Sequence, residues 1–374
     1  MRIDQTEITQ TQQMLRSRTC LTSAKIETSL LFLTLSMMKT EDNYIVGMCQ
    51  DMCPVSEVKM RISKNLVHDL EKSHGELIKC YKRSAAGTDI SNPKTLRPPN
   101  VLEETVHYLF NNVLMNKSKQ FHVVYQFVED RLRAVRQDLF IQQPSPDKCF
   151  PVLEPIVRFY IYSAYRLSES PLEDFDPVLN HNQLLETFKW LLKLYDSWNH
   201  ISPERFEIEA LYSAFNLGEP SSLFRSLTLP SRLRRGIVLT AEQLSISWYL
   251  GNYAKICKCL SDLPVLMAAL IYAVQQPYIK RHALRVMNSA YSSKVLTVPL
   301  SLIKDQLLFN DERDLLSYLF ECSLETVNGE TKAVKFSKNN AISERLPRRT
   351  RLESIDRRLD EQYLPDLLLT TPSL

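Results

Sequence analysis

The stretch Leu324-Glu325-Thr326-Val327-Asn328-Gly329-Glu330-Thr331-Lys332-Ala333-Val334-Lys335-Phe336 decides how the C-terminal end of this chain is built. Leu324 to Val327 and Lys332 to Phe336 alternate apolar with polar residues, the period that gives a strand one apolar face. Asn328-Gly329 lies between them, and Asn-Gly readily takes positive φ at both centres of a tight hairpin turn. Just upstream, Leu300, Ile303, Leu307 and Leu308 mark a short helix. Asp311 can cap a second helix running through Leu315, Leu316, Leu319 and Phe320. Two short helices followed by a hairpin predict a winged-helix subdomain over residues 293–340.

Towards the N-terminus the pattern is helical throughout. The chain has 7 glycines in 374 residues, where average usage of about 7% would give roughly 26. Phosphate-cradling loops and dinucleotide folds consume glycine, because they need positive φ or close backbone approach. Neither a G-x-G-x-x-G nor a G-x-x-x-x-G-K-[ST] string is present, which weighs against nucleotide-dependent enzymes. Helix starts are read at Cys53-Pro54, at Asn100 with Glu103, at Asn180 with Gln183, at Ser202-Pro203 and at Thr240 with Gln243. Val58, Ile62, Leu66 and Leu70 form an apolar stripe in the first helix, with Glu57 and Arg61 as a surface i,i+4 pair. Gly218 closes one helix, Gly251-Asn252-Tyr253 breaks another, and Pro264 and Pro277 punctuate two more. The fold class expected is all-α, a solenoid-like run of irregular helical hairpins over residues 44–292, followed by the winged helix. Residues 1–43 read as a flexible lead and residues 341–374, with Arg348, Arg349, Arg351, Arg357 and Arg358, as a partly mobile tail.

Composition bounds the partners. The net charge is +3, too small to imply nucleic-acid binding without local clusters. Leu30 to Met38 is too short an apolar run to span a bilayer, so no membrane association is expected. Eight cysteines spread along helical stretches read as free thiols in a reducing compartment, nuclear or cytosolic. Cys49 and Cys53 supply only two of the four ligands zinc requires, and Cys257 and Cys259 point to opposite sides of a helix. The histidines stand singly, and no acid, base and nucleophile converge in the sequence. No catalytic site, metal, cofactor or small-molecule substrate is therefore expected. Tyr160, Tyr162 and Tyr165 read as core residues. Arg131, Arg133 and Arg136, interleaved with Glu129, Asp130 and Asp138, read as a salt-bridged helix face of little energetic weight. Three basic groups remain as candidate phosphate contacts: Arg232, Arg234 and Arg235; Lys280, Arg281 and Arg285; and Lys332, Lys335 and Lys338 on the predicted wing.

Gly47-Met48-Cys49-Gln50-Asp51-Met52-Cys53-Pro54, followed by Glu57 and Arg61, closely resembles the opening motif of the SAC/GANP family. Tyr81-Lys82-Arg83-Ser84-Ala85-Ala86-Gly87, Phe127-Val128-Glu129-Asp130-Arg131-Leu132-Arg133, Phe206-Glu207-Ile208-Glu209-Ala210-Leu211-Tyr212 and Gly251-Asn252-Tyr253 follow in the family's order. The resemblance covers roughly residues 45–340. It implies a PCI-type architecture, stacked helical repeats capped by a winged helix, and a structural role for Cys49, Asp51, Met52, Cys53, Pro54, Glu57 and Arg61. It also implies a scaffold in mRNA export or transcript processing, found in nucleus and cytoplasm. The partners it implies are a second PCI protein, a small acidic subunit and RNA. The regions that large members use for pore docking do not appear in these residues. The layout is similar to that of short members linked to centrosome duplication and the spindle, which makes centrosomal proteins the alternative partners.

Overall fold

The computed structural model describes residues 45–83, 90–199, 201–327, 332–337, 342 and 346–370. The helices are, in order, α1 (Val55–Ser63), α2 (Asp69–His74), α3 (Pro99–Tyr108), α4 (Phe121–Gln142), α5 (Pro146–Arg166), α6 (Pro177–Trp198), α7 (Pro203–Phe215) and α8 (Pro220–Thr228). They continue with α9 (Ile237–Tyr249), α10 (Tyr253–Cys259), α11 (Val265–Val274), α12 (Gln276–Ala290), α13 (Leu300–Gln306), α14 (Glu312–Glu321), α15 (Glu353–Asp360) and α16 (Leu364–Leu369). A π turn, Leu109–Val113, extends α3. Among the described residues there are three short strands: β1 (Val298–Pro299), β2 (Glu325–Val327) and β3 (Ala333–Lys335). The described chain is thus mostly helical with little sheet, and the predicted 1–43 lead lies outside the described residues.

Proline places many of the helix starts. Pro99, Pro146, Pro177, Pro203 and Pro220 occupy the first position of α3, α5, α6, α7 and α8, and Pro277 the second of α12, where a missing N–H is no loss. Ser202 caps α7 by accepting from the Arg205 N–H, and Asp311 caps α14 by accepting from the Asp314 N–H. Three expected starts are corrected. Helix α3 begins at Pro99, ahead of the Asn100–Glu103 pair, and α9 begins at Ile237 rather than Thr240. Helix α6 begins at Pro177 with Asp176 as its cap. Asn180 is instead a buried link between helices: it donates to the Tyr160 carbonyl and accepts from the Tyr125 hydroxyl, each at 3.1 Å.

Helix α5 sits at the centre, packed against α3, α6, α11 and α16, while α11 also packs on α7. Every residue from Val265 to Ala273 of α11 is buried, as expected of a helix that is apolar all round. Tyr160, Tyr162 and Tyr165 are core residues, as read from the sequence. A second, smaller core joins Ala283, Leu284 and Met287 of α12 to Val298, Leu300, Ile303, Leu307, Leu315, Leu319, Val334 and Phe336. Its sheet has the order β1-β3-β2, antiparallel, with Val334 opposite both Val298 and Thr326. The strands flank the predicted hairpin, whose turn at Asn328-Gly329 lies outside the described residues. Ile279 of the same α12 belongs to the larger core. One helix therefore contributes to both cores and joins them.

The mobile-tail expectation is corrected over residues 346–370. Leu352, Ile355, Leu359, Leu367 and Leu368 are buried against the larger core, because α15 and α16 carry an apolar face that the sequence's arginines hide. Polar links hold the segment: Arg358 donates to the Leu260 and Leu263 carbonyls, and Arg158 to that of Leu368. The Tyr165 hydroxyl both donates to the Leu352 carbonyl and accepts from its N–H, each at 2.9 Å. Tyr165→Phe leaves the buried Leu352 N–H unpaired, while the Leu352 carbonyl keeps the Ile355 and Asp356 N–H groups. We expect it to lower unfolding stability by about 2 kcal/mol in urea titration, whereas Tyr363→Phe, at an exposed tyrosine, should change nothing measurable.

Candidate functional site

Near its N-terminal end the fold is built around charge rather than hydrocarbon. Helix α1 buries Glu57 and Arg61, while Ile62 and Leu66, expected to lie on an apolar stripe, are exposed. The helix ends at Ser63, so the stripe never reaches Leu70. Nor is Glu57 paired with Arg61. Glu57 accepts from the Cys80 N–H at 2.9 Å and pairs with Lys82 at 2.9 Å. Burial alone would raise its pKa, but these two partners outweigh it and hold the carboxyl below its ordinary value. Arg61 donates to Glu71 and to the Ile78 carbonyl. Glu71 also accepts from Arg131 of α4 at 3.3 Å and from the Ile78 N–H at 3.1 Å. Its pKa is likewise lowered, the Arg61 and Arg131 guanidiniums overcoming burial.

A second cluster lies beside it. Asp138 of α4, fully buried, takes Lys79 Nζ at 2.6 Å on one oxygen and Arg97 Nε at 2.8 Å on the other. Gln142, one turn on, donates to the Arg97 carbonyl at 2.7 Å and accepts from the Gly47 N–H at 2.9 Å. At Gly47 a Cβ would meet the Leu96 oxygen at 2.6 Å and Gln142 Oε1 at 2.7 Å, so only glycine fits. The Met52 carbonyl accepts from the Lys79 N–H and from Arg97 Nη1. The motif from Gly47 to Arg61 thus fastens the first segment onto α4. Arg131 and Asp138 are the α4 side of that fastening, which corrects their reading as a lightly weighted surface face.

The expected basic groups are dispersed. Arg232 is exposed and hydrogen-bonds Asn199 Oδ1 at 2.5 Å. Arg234 is held by both oxygens of Glu242, at 2.9 and 2.8 Å. Arg235 is exposed and lies over the Phe206 ring. Lys280 is corrected as a phosphate contact: it is 2% exposed, with Nζ 3.6 Å from the Phe309 ring centroid and 5.6 Å from that of Tyr272. It points inward because the apolar residues around it close on α12 from both cores. Arg281 and Arg285 are half-buried on the same helix. Lys332 is exposed and reaches Glu312 at 3.8 Å, Lys335 is half-buried in β3, and Lys338 lies outside the described residues.

Cys49, Cys53, Cys149 and Cys257 are buried. Burial pushes the thiols of Cys53, Cys149 and Cys257 up to about 12 and that of Cys80 to about 11, so they stay protonated rather than act as nucleophiles. Among the described residues no three His, Cys, Asp or Glu side chains are grouped to hold a metal ion. No helix among them is long and apolar enough to cross a membrane. Between α7, α11 and the C-terminal segment lies a cavity of about 450 Å³, lined by Ala210, Leu211, Pro264, Leu266, Met267 and Leu367. Sequence reasoning missed Lys79, Arg97, Arg158 and Glu207. Arg158, buried on Glu207 at 2.7 Å, does leave a trace, as a lone charge in the apolar run Ile156 to Ile161.

The family model described as the SAC3/GANP family matches residues 52–328. SAC3 family protein B of Arabidopsis thaliana is 27% identical over 258 residues, covering 62% of this chain and 15% of that protein. Protein xmas of Drosophila melanogaster is 25% identical over 337 residues, covering 83% of this chain and 16% of its own length. SAC3 family protein 1 of Schizosaccharomyces pombe is 25% identical over 318 residues, covering 76% of this chain and 31% of its own length. The chain therefore spans less than a third of the length of each of these relatives.

Proposed function

The chain belongs to the SAC3/GANP family, and from that premise we propose that it is a non-enzymatic scaffold acting in mRNA export from the nucleus. In this reading the architecture is PCI-type. The unit from β1 to β3, with its two short helices and three-stranded antiparallel sheet, is the winged helix that closes the helical stack. One observation carries the reading: α12 gives Ile279 to the large core and Ala283, Leu284 and Met287 to the small one. The two parts are thereby presented as one continuous binding body, the form in which a scaffold works. The partners proposed are a second PCI protein, a small acidic subunit and RNA. Affinity capture of the full chain from nuclear extract should recover such a pair, and recovery of centrosomal proteins alone would reject the export role.

For RNA the surface is redrawn without Lys280. Arg232 and Arg235, on one loop, keep their charges at the surface and are the residues proposed to meet phosphate. Binding of a single-stranded RNA oligomer should weaken steeply with salt. Arg232→Glu and Arg235→Glu together should weaken it by at least about ten-fold. Affinity unmoved by the two reversals would remove this surface from the proposal.

A further inference from the structure

We propose that the outer face of α14, centred on Phe320, docks a protein partner whose own surface is basic and offers an apolar pocket. Phe320 is 85% exposed, while Leu315, Tyr318 and Leu319 of the same helix are buried. Arg313, Ser317, Phe320 and Glu321 are all exposed and fall at the helical spacing of one outward face. A large aromatic held on a rigid helix with its ring in solvent is the kind of anchor that dominates protein interfaces. Around it the charge is acidic. Asp311, Glu312 and Asp314 lie at the start of α14, Glu321 at its end and Glu325 on β2.

The positive groups nearby are already engaged: Arg313 reaches Asp311 at 3.1 Å and Lys332 reaches Glu312 at 3.8 Å. Among the described residues Glu321 makes no ion pair, and Glu325 stands opposite Lys335 across the β2–β3 pairing, which leaves five carboxylates around Phe320 against the cations Arg313, Lys332 and Lys335. A face of this sign repels a phosphate backbone and attracts lysine and arginine, so complementarity selects a basic protein surface over nucleic acid. In a winged helix the second helix is a common phosphate-facing element, and here that role is refused by charge.

The inference uses the scaffold reading only in taking the chain to act by binding. The test is site-specific photo-cross-linking in cells, using the full chain with Phe320→p-benzoylphenylalanine. Ser289→p-benzoylphenylalanine, on the exposed part of α12, serves as control. The expected product is a protein cross-link mapped to a segment with more Lys and Arg than Asp and Glu, absent from the control. Adding Glu321→Lys and Glu325→Lys should lower its yield by at least about five-fold, and both positions are exposed, so folding is not at stake. A cross-link to RNA, to a second copy of this chain or to an acidic segment would overturn the proposal. So would no cross-link above control, or a yield that ignores the charge reversals. Any of those results with the affinity-captured partners still recovered would remove this surface and leave the scaffold standing.

Discussion

Asp138→Ala is expected to lower unfolding stability by about 3–5 kcal/mol, the usual consequence of removing one partner from a buried ionic cluster. Two cations depend on this carboxylate, Lys79 at 2.6 Å and Arg97 at 2.8 Å, and neither can turn to water, being 7% and 0% exposed. Lys79 keeps the Thr95 carbonyl and Arg97 the Met52 carbonyl, but a carbonyl dipole does not neutralise a charge. The effect should spread along the chain, because Arg97 is fixed to Gln142 and Gln142 to Gly47. Hydrogen exchange should therefore rise over residues 47–53, 78–83 and 90–97 together, ahead of the α5–α11 core. Glu353→Ala, which breaks the exposed pair with Arg357, should cost well under about 1 kcal/mol. Equal midpoints for the two variants in urea would mean that water already screens the Asp138 cluster.

That cluster also shows what in this molecule was legible from sequence. Helices organised by hydrocarbon were readable, because their periodicity is the packing: Leu300 and Ile303 on α13 with Leu307 at its C-terminal end, or Leu315 and Leu319 on α14. Starts set by a proline were readable as well, since the ring fixes φ by itself. Charged core residues were not. Glu57 and Arg61 have the spacing of an ordinary surface pair, and nothing local says that one will bind Cys80 and the other Glu71. These partners lie 23 and 10 positions away. The arginine-rich C-terminal segment misled in the same way, since an amphipathic helix as short as α15 places only Ile355 and Leu359 inward and is outvoted by charge in any composition window. Glycine carried more information: its scarcity gave the helical class, and Gly47 marks a place where backbone and the Gln142 carboxamide come too close for a Cβ. Of the candidate site, types and neighbourhoods were legible but directions were not. Lys280 and Arg281 are adjacent in sequence, and one is buried between the cores while the other is only half-buried.

Lys280 carries the second large effect. Burial pushes its ammonium down to about 7 from an ordinary value of 10.5, with Cys257 and Asp314 nearby acting weakly in the opposite sense. The rings of Phe309 and Tyr272 also favour the charged form, with about 2 kcal/mol for a desolvated contact, against a burial penalty of several for an ion. Desolvation wins. The sign of the pH dependence follows. Between about pH 7 and 10.5 the unfolded chain holds a proton on this lysine that the folded chain does not. Stability must then rise with pH across that interval, and the penalty is fully present below about 7. Lys280→Met keeps the length of the side chain and removes the charge. We expect it to raise stability near pH 7 by a few kcal/mol, on the order of the shift, with a gain that shrinks steadily towards pH 10. Taking the difference between the two proteins cancels every other titrating group. The gain should appear as firmer docking of residues 298–336, because Lys280 stands where α12 passes from one core to the other and Phe309 belongs to the smaller one. A Lys280→Met protein that is less stable than the parent, or whose advantage is the same at pH 7 and pH 10, would mean that the ammonium stays charged inside and that the aromatic rings hold the joint together.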